Sequence, residues 1–273
     1  IYICVYIYIY NMNLDRKLTE LIYNSVNGNK LLQQLPYYLG LLPYELYVLP
    51  GMYIAILQVI WLSAYNPIQF HLMPHFFAFC LFQLIKGTVG RQRPGCDHKN
   101  LSGYIDESHC TGKQRFMSFP SGHTGIAFAL ATALYLEMTV SDDPRFFDVQ
   151  VKTERNRKII YACGFFVASS IWIHRISKGY HYLGDTVVGG ILGSLIGYIS
   201  WHVLNKYKSL YHDLCNKHQS CEDKEGIGIQ FISTDKNSRM IELSAKVLLT
   251  IPVVYLLVKF FMVDFLNLAS VKH

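Results

Sequence analysis

The stretch Phe119-Pro120-Ser121-Gly122-His123-Thr124-Gly125 interrupts an apolar chain with polar residues and runs straight into a second apolar segment, Ile126 to Leu136. Pro120 fixes the approach angle, Ser121 is a helix-cap residue, and the small residues at 121, 122 and 125 leave the first-turn N–H groups uncovered. A helix start of this kind can seat an anion such as phosphate. The same Pro-Ser-Gly pattern is also an ordinary helix start, so its neighbours must decide between the two readings.

The bulk composition sets the frame. Hydrophobic residues make up 51% of the 273 and charged residues only 16%, with a mean hydropathy of +0.20. A chain so apolar and so poor in charge fits a multi-span membrane protein better than a soluble enzyme. The net charge of +6, from 25 Lys and Arg against 19 Asp and Glu, is spread over loops. With no basic tract, nucleic acid is excluded as a partner, and anionic headgroups or an anionic substrate are favoured. The seven Cys include no CxxC pair and suggest no metal site.

Taken in order, residues 1–10 alternate aromatic and β-branched types without charge. They are too short to span a bilayer and lack a basic leader, so residues 1–11 are expected not to be native to the working protein. Met12, opening the amphipathic stretch 13–22, is the expected start; N-terminal sequencing of natural material that found Ile1 would refute this. Apolar runs long enough to span then recur at 41–64, 70–85, 122–138, 159–173, 183–204 and 245–263. The expected fold is therefore all-α: a polytopic membrane bundle of about six transmembrane helices. It would form one domain over 41–265, preceded by an N-terminal segment 1–40 and followed by a tail 266–273. The charged stretches 141–158 and 205–242 read as solvated loops without chemistry.

Six spans put the loops 141–158 and 205–242 on one side of the membrane, and the N-terminus, the segment 86–119 and the turn 174–182 on the other. The first side carries eleven Lys and Arg, including Arg145, Lys152, Arg155 and Arg239. The positive-inside rule then turns the 86–119 side to the lumen or exterior. Cys96 and Cys110 lie in that segment at a separation that suits either a disulfide on an oxidising face or two free thiols.

Ionisable residues at span ends are functional suspects because burying them is costly. Three polar islands share the predicted outer side. In Lys86-Gly87-Thr88-Val89-Gly90-Arg91-Gln92-Arg93-Pro94, Lys86 and Arg93 stand two helical turns apart and can address one anion if the helix continues to Pro94. Arg91 then falls on another face, toward solvent or headgroups. The second island is Pro120 to His123. The third, His174 to Asp185, contains Arg175 and a His181–Asp185 pair. Four apart at a helix start, that carboxylate can accept from one imidazole nitrogen and leave the other nucleophilic.

Lys-x6-Arg-Pro at 86–94, Pro-Ser-Gly-His at 120–123 and Arg-x5-His-x3-Asp at 175–185 together resemble the three-part motif of the type 2 phosphatidic acid phosphatase superfamily. This group includes lipid phosphate phosphatases, polyprenyl-diphosphate phosphatases, glucose-6-phosphatase and vanadium haloperoxidases. The resemblance implies an integral membrane phosphatase that hydrolyses a lipid phosphate or diphosphate, with a lipid substrate held at the bilayer and no cofactor. His181 would be the nucleophile forming a phosphohistidine, Asp185 would orient it, and His123 would protonate the leaving group. Lys86, Arg93, Ser121, Gly122 and Arg175 would bind the phosphate. No carboxylate cluster for magnesium accompanies the motifs, so turnover is expected to need no metal. The chain departs from the family at His174, where a supporting Ser is usual, and in having two spans before the first motif where many members have three. The rival readings are a silent lipid-binding or transport protein, which would be expected to lose the motif histidines, and a glucose-6-phosphatase-like or vanadate-dependent enzyme on the same cage.

Overall fold

The computed structural model describes residues 12–41, 67–142, 144–146 and 149–218. The expected spans 41–64 and 245–263 lie almost wholly outside the described residues, as does the leader 1–11. Within the described residues the protein is all-α apart from one two-stranded ribbon. Helix α1 is Met12–Asn27 and α2 is Lys30–Pro36, continued by a π-helical turn over Tyr37–Leu41. Then come α3 (Pro67–Val89), the short α4 (Pro94–Asp97), α5 (Gly122–Thr139), α6 (Glu154–Ser177) and α7 (Leu183–His218). The ribbon pairs β1 (Arg145–Phe146) with β2 (Val149–Gln150), Arg145 opposite Gln150.

The four apolar runs that fall among the described residues are all helical. Of these helices, Glu154–Ser177 and the Leu183–Lys206 part of α7 are long and apolar enough to cross a membrane. Two expected loops are shorter than the charge pattern implied. α7 runs on to His218, and α6 starts at Glu154, where Thr153 Oγ1 accepts from Asn156 N–H as an N-cap. The last turns of α7 carry Lys, Leu, Tyr and His and no Gly or Pro, which lets the helix continue.

α5 is the hub, packed against α7, α6 and α3. Its core is small-residue-rich, with Ala78, Phe82, Ile126, Ala127, Ala129, Ala131, Ala168 and Ile171 buried together. The α5–α7 seam is closer still. A Cβ at Gly189 would lie 2.6 Å from Ser121 O, one at Gly193 would lie 1.9 Å from Gly125 O, and one at Gly197 would lie 2.3 Å from Ala129 O. Glycines four apart on α7 thus face Ser121, Gly125 and Ala129, also four apart, and the two backbones touch without intervening side chains. The seam starts at the second island and the third, so it sets the distance between them.

Candidate active site

The first island does not continue as a helix. α3 stops at Val89, Gly90 adopts φ 61°, and Arg93 is extended at φ −74°, ψ 141° ahead of Pro94. The helical-wheel reading of Lys86 and Arg93 therefore fails, because the chain turns between them. They nonetheless address one place: Lys86 and Arg93, together with Arg175, lie within electrostatic reach of both His181 and His123. Lys86 Nζ would sit 3.3 Å from a Cβ at Gly122, so a side chain there would press on the ammonium. Arg93 is anchored by Nε to Gln114 O at 2.8 Å and by Nη1 to Tyr180 O at 3.2 Å.

The same turn reverses the expectation for Arg91. Its side chain is 9% exposed, with Nη1 2.6 Å from Asp185 Oδ1 and Nη2 2.9 Å from Asp15 Oδ2. The guanidinium also lies 3.9 Å above the Tyr182 ring. A guanidinium that faces two carboxylates is part of the site's framework rather than a headgroup contact.

In the second island, Ser121 takes the N-cap position of α5, but its hydroxyl pairs with Thr124 Oγ1 at 2.9 Å and caps no backbone N–H. The first turn, beginning at Gly122, therefore keeps donors unoccupied by a side-chain cap, as an anion seat requires. Ser121 N–H donates to Asp185 O at 3.0 Å, which ties the second island to the third.

In the third island, α6 ends with Arg175 buried in its last turn, its guanidinium 4.1 Å above the Tyr180 ring. Gly179, at φ 70°, reverses the chain; its N–H bonds Ile176 O, and a Cβ there would meet Leu101 O at 2.4 Å. His181 follows, fully buried. Its Nδ1 lies 2.6 Å from the Ser118 carbonyl. A carbonyl only accepts, so Nδ1 carries the hydrogen and the lone pair is on Nε2. Nε2 is buried with no hydrogen-bond partner among the described residues. Burial, then the charges of Arg93, Arg175 and Lys86, push His181 well below its usual range, so the imidazole stays neutral.

The expected His181–Asp185 hydrogen bond is thus replaced. Asp185 accepts from Ser118 Oγ–H and from Tyr182 N–H (2.9 Å) at Oδ2, and pairs with Arg91 at Oδ1. Spacing of four reaches a partner within a helix, but His181 lies before α7 begins at Leu183, so the two side chains do not stack by helical register. Ser118 connects them instead, through its carbonyl to His181 and its hydroxyl to Asp185.

Three further residues of the site carry no signal in their local sequence. Asp15 Oδ1 accepts from Gly184 N–H at 2.7 Å and Thr19 Oγ1 from Leu183 N–H at 2.9 Å. These two side chains, one turn apart on α1, cap the helix that carries Asp185 from 169 and 164 positions away in sequence. Ser118 is the third. Burial raises Asp15 to about 6, against the hydrogen bond from Gly184 and with a contribution from Asp185. The polar segment after α4 is closed by a disulfide between Cys96 and Cys110, Cα atoms 5.3 Å apart, which decides between the two readings of that pair. Among the described residues no three His, Cys, Asp or Glu gather in the manner of a metal site.

Residues 72–209, which contain all three islands, match the PAP2 superfamily. The chain belongs to the PAP2 superfamily. A lipid A 1-phosphatase of Rhizobium johnstonii is 29% identical over 143 residues, covering 50% of this chain and 46% of that protein. The chain's match thus spans about half the length of that relative. No solved structure matches.

Proposed function

We propose that this protein is a multi-pass membrane phosphatase that hydrolyses a lipid phosphate or diphosphate through a phosphohistidine on His181. The observation that carries the reading is the buried, partnerless Nε2 of a neutral imidazole whose proton is held on the other nitrogen, set among three cations. In the first step Nε2 attacks phosphorus, the bond from phosphorus to the ester oxygen breaks, and that oxygen takes a proton from His123, which enters the step as an imidazolium favoured by the negative charge of the bound phosphate. In the second step water attacks the phosphohistidine with His123 as base and releases phosphate. Lys86, Arg93, Arg175, the Gly122 backbone and Ser121 hold the equatorial oxygens, while Asp185 stabilises the His181 segment through Ser118 and Arg91.

The membership in PAP2 and the similarity to a lipid A 1-phosphatase support a lipid phosphate substrate. The two apolar helices support a bilayer location, and we extend this to about six spans in one domain over 41–265. The disulfide, together with the distribution of Lys and Arg, supports an active site on the lumenal or extracytoplasmic side. Because fixed cations meet the phosphate charge, turnover needs no metal.

Phosphate release from a panel of lipid phosphates in detergent micelles tests the reading. Wild type should release phosphate in the presence of chelator, and His181→Ala should lower the rate by roughly 10³-fold or more. Wild-type-like release by His181→Ala would refute the mechanism, and loss in chelator restored by Mg²⁺ would refute metal independence.

A further inference from the structure

A cavity of about 500 Å³ adjoins the phosphoryl cage, with His123 and Arg175 in its wall. That volume is typical of a small-molecule site and exceeds what a phosphoryl group needs. The rest of the wall includes Gln33, Gln34 and Tyr37 from α2 and the turn after it, Tyr104 from the disulfide-closed segment, and His174 and Lys178 from the end of α6. These are amides, phenols, an imidazole and an ammonium, groups that donate and accept hydrogen bonds in several directions.

His174 is the most informative of them. It is 3% exposed, its ring is 5.8 Å from that of Tyr37, and its Nδ1 is buried with no hydrogen-bond partner among the described residues. A buried polar atom left without a partner is costly, and a hydroxyl in the cavity would satisfy it. A diacylglycerol or prenyl leaving group would instead bury hydrocarbon against these groups and offer them few or no hydrogen bonds. A sugar ring matches both kinds of surface, its hydroxyls meeting the amides and imidazole and its apolar face the tyrosine rings.

We propose that this cavity receives a hydroxylated leaving group, a sugar or similar polyol that carries the phosphate. The inference rests on the phosphatase reading and narrows its substrate. The polyol arrives either as the head of a glycolipid phosphate or as a soluble sugar phosphate, since both present the same chemistry to the wall.

The test measures kcat/KM in micelles for a lipid-linked glucosamine 1-phosphate, glucose 6-phosphate, phosphatidate and a polyprenyl phosphate, with wild type, Gln34→Leu and His174→Leu. At least one sugar-bearing substrate should exceed phosphatidate and the polyprenyl phosphate in wild type. Gln34→Leu should lower that preference roughly tenfold, about one lost hydrogen bond, mainly through KM. Gln34 is exposed, so its variant folds even where the buried His174→Leu does not. Turnover of the glycolipid alone identifies the membrane-borne source, and turnover of glucose 6-phosphate identifies the soluble one. A preference for phosphatidate or polyprenyl phosphate, or an unchanged preference in Gln34→Leu, overturns the proposal while leaving the phosphatase reading intact. Release from none of the four overturns both.

Discussion

Replacing Gly193 with Ala should lower the proposed phosphatase activity from a position on the α5–α7 seam outside the three islands. The new Cβ would lie 1.9 Å from Gly125 O, 2.6 Å from its carbonyl carbon and 2.8 Å from its Cα, all backbone atoms that no rotamer change can move aside. To reach an ordinary contact near 3.4 Å, α5 and α7 must part locally by about 1.5 Å. Overpacking of this kind costs ~1–3 kcal/mol. The larger effect is on chemistry, because His123 opens α5, Asp185 lies in the first turn of α7, and the Ser121–Asp185 backbone hydrogen bond joins them just above the seam. A displacement on the order of 1 Å between reacting groups lowers turnover by about 10²-fold. Gly164→Ala is the control: its Cβ would meet Leu134 Cδ1 at 3.4 Å, an ordinary contact, and Ala favours the helix by ~0.5–1 kcal/mol. Phosphate release and thermal midpoints of detergent-purified variants measure both effects. Wild-type kcat and melting for Gly193→Ala, or equal damage from Gly164→Ala, would refute the claim that the seam positions the site.

Two other perturbations address the framework. As pH falls through about 6, Asp15 takes up a proton and its ion pair with Arg91 is lost, so kcat/KM should decline on that limb. The folded state holds this proton more tightly than the unfolded chain, so the protonation favours folding at low pH and that favour is lost as pH rises through 6; the acid limb is therefore one of activity and not of unfolding, and Asp15→Asn should flatten it in a pH profile. Ser118→Ala removes a hydrogen bond to the Asp185 carboxylate while the Ser118 carbonyl stays on His181. A bond to a charged group contributes ~1.5–3 kcal/mol, so kcat should fall about 10- to 100-fold with KM little changed, read by steady-state kinetics.

The helices were legible where long apolar runs are bounded by Pro, Gly or a charge, as at Pro67, Gly122 and Lys178. The site residues were legible because their spacing forms motifs. Direction was not: extending α3 past Gly90 put Arg91 outward and gave Lys86 and Arg93 a shared face, whereas a single positive φ redirects all that follows. The His181–Asp185 spacing suggested a direct bond, but a helix rule does not apply across a helix start. Asp15 and Thr19 were illegible for a different reason. Their partners, Gly184 and Leu183, are main-chain N–H groups some 165 residues away, and nothing in either local sequence marks such a pairing.

The hydrogen-bond acceptor that fixes the His181 tautomer belongs to the peptide backbone at 118, and every residue type supplies the same oxygen there. Mutational scanning is therefore blind to it: a library at this position reports on the hydroxyl and Asp185 and leaves the imidazole's orientation untouched. Only an alteration of the main chain itself, such as an amide-to-ester exchange that weakens the carbonyl as an acceptor, can probe that contact directly.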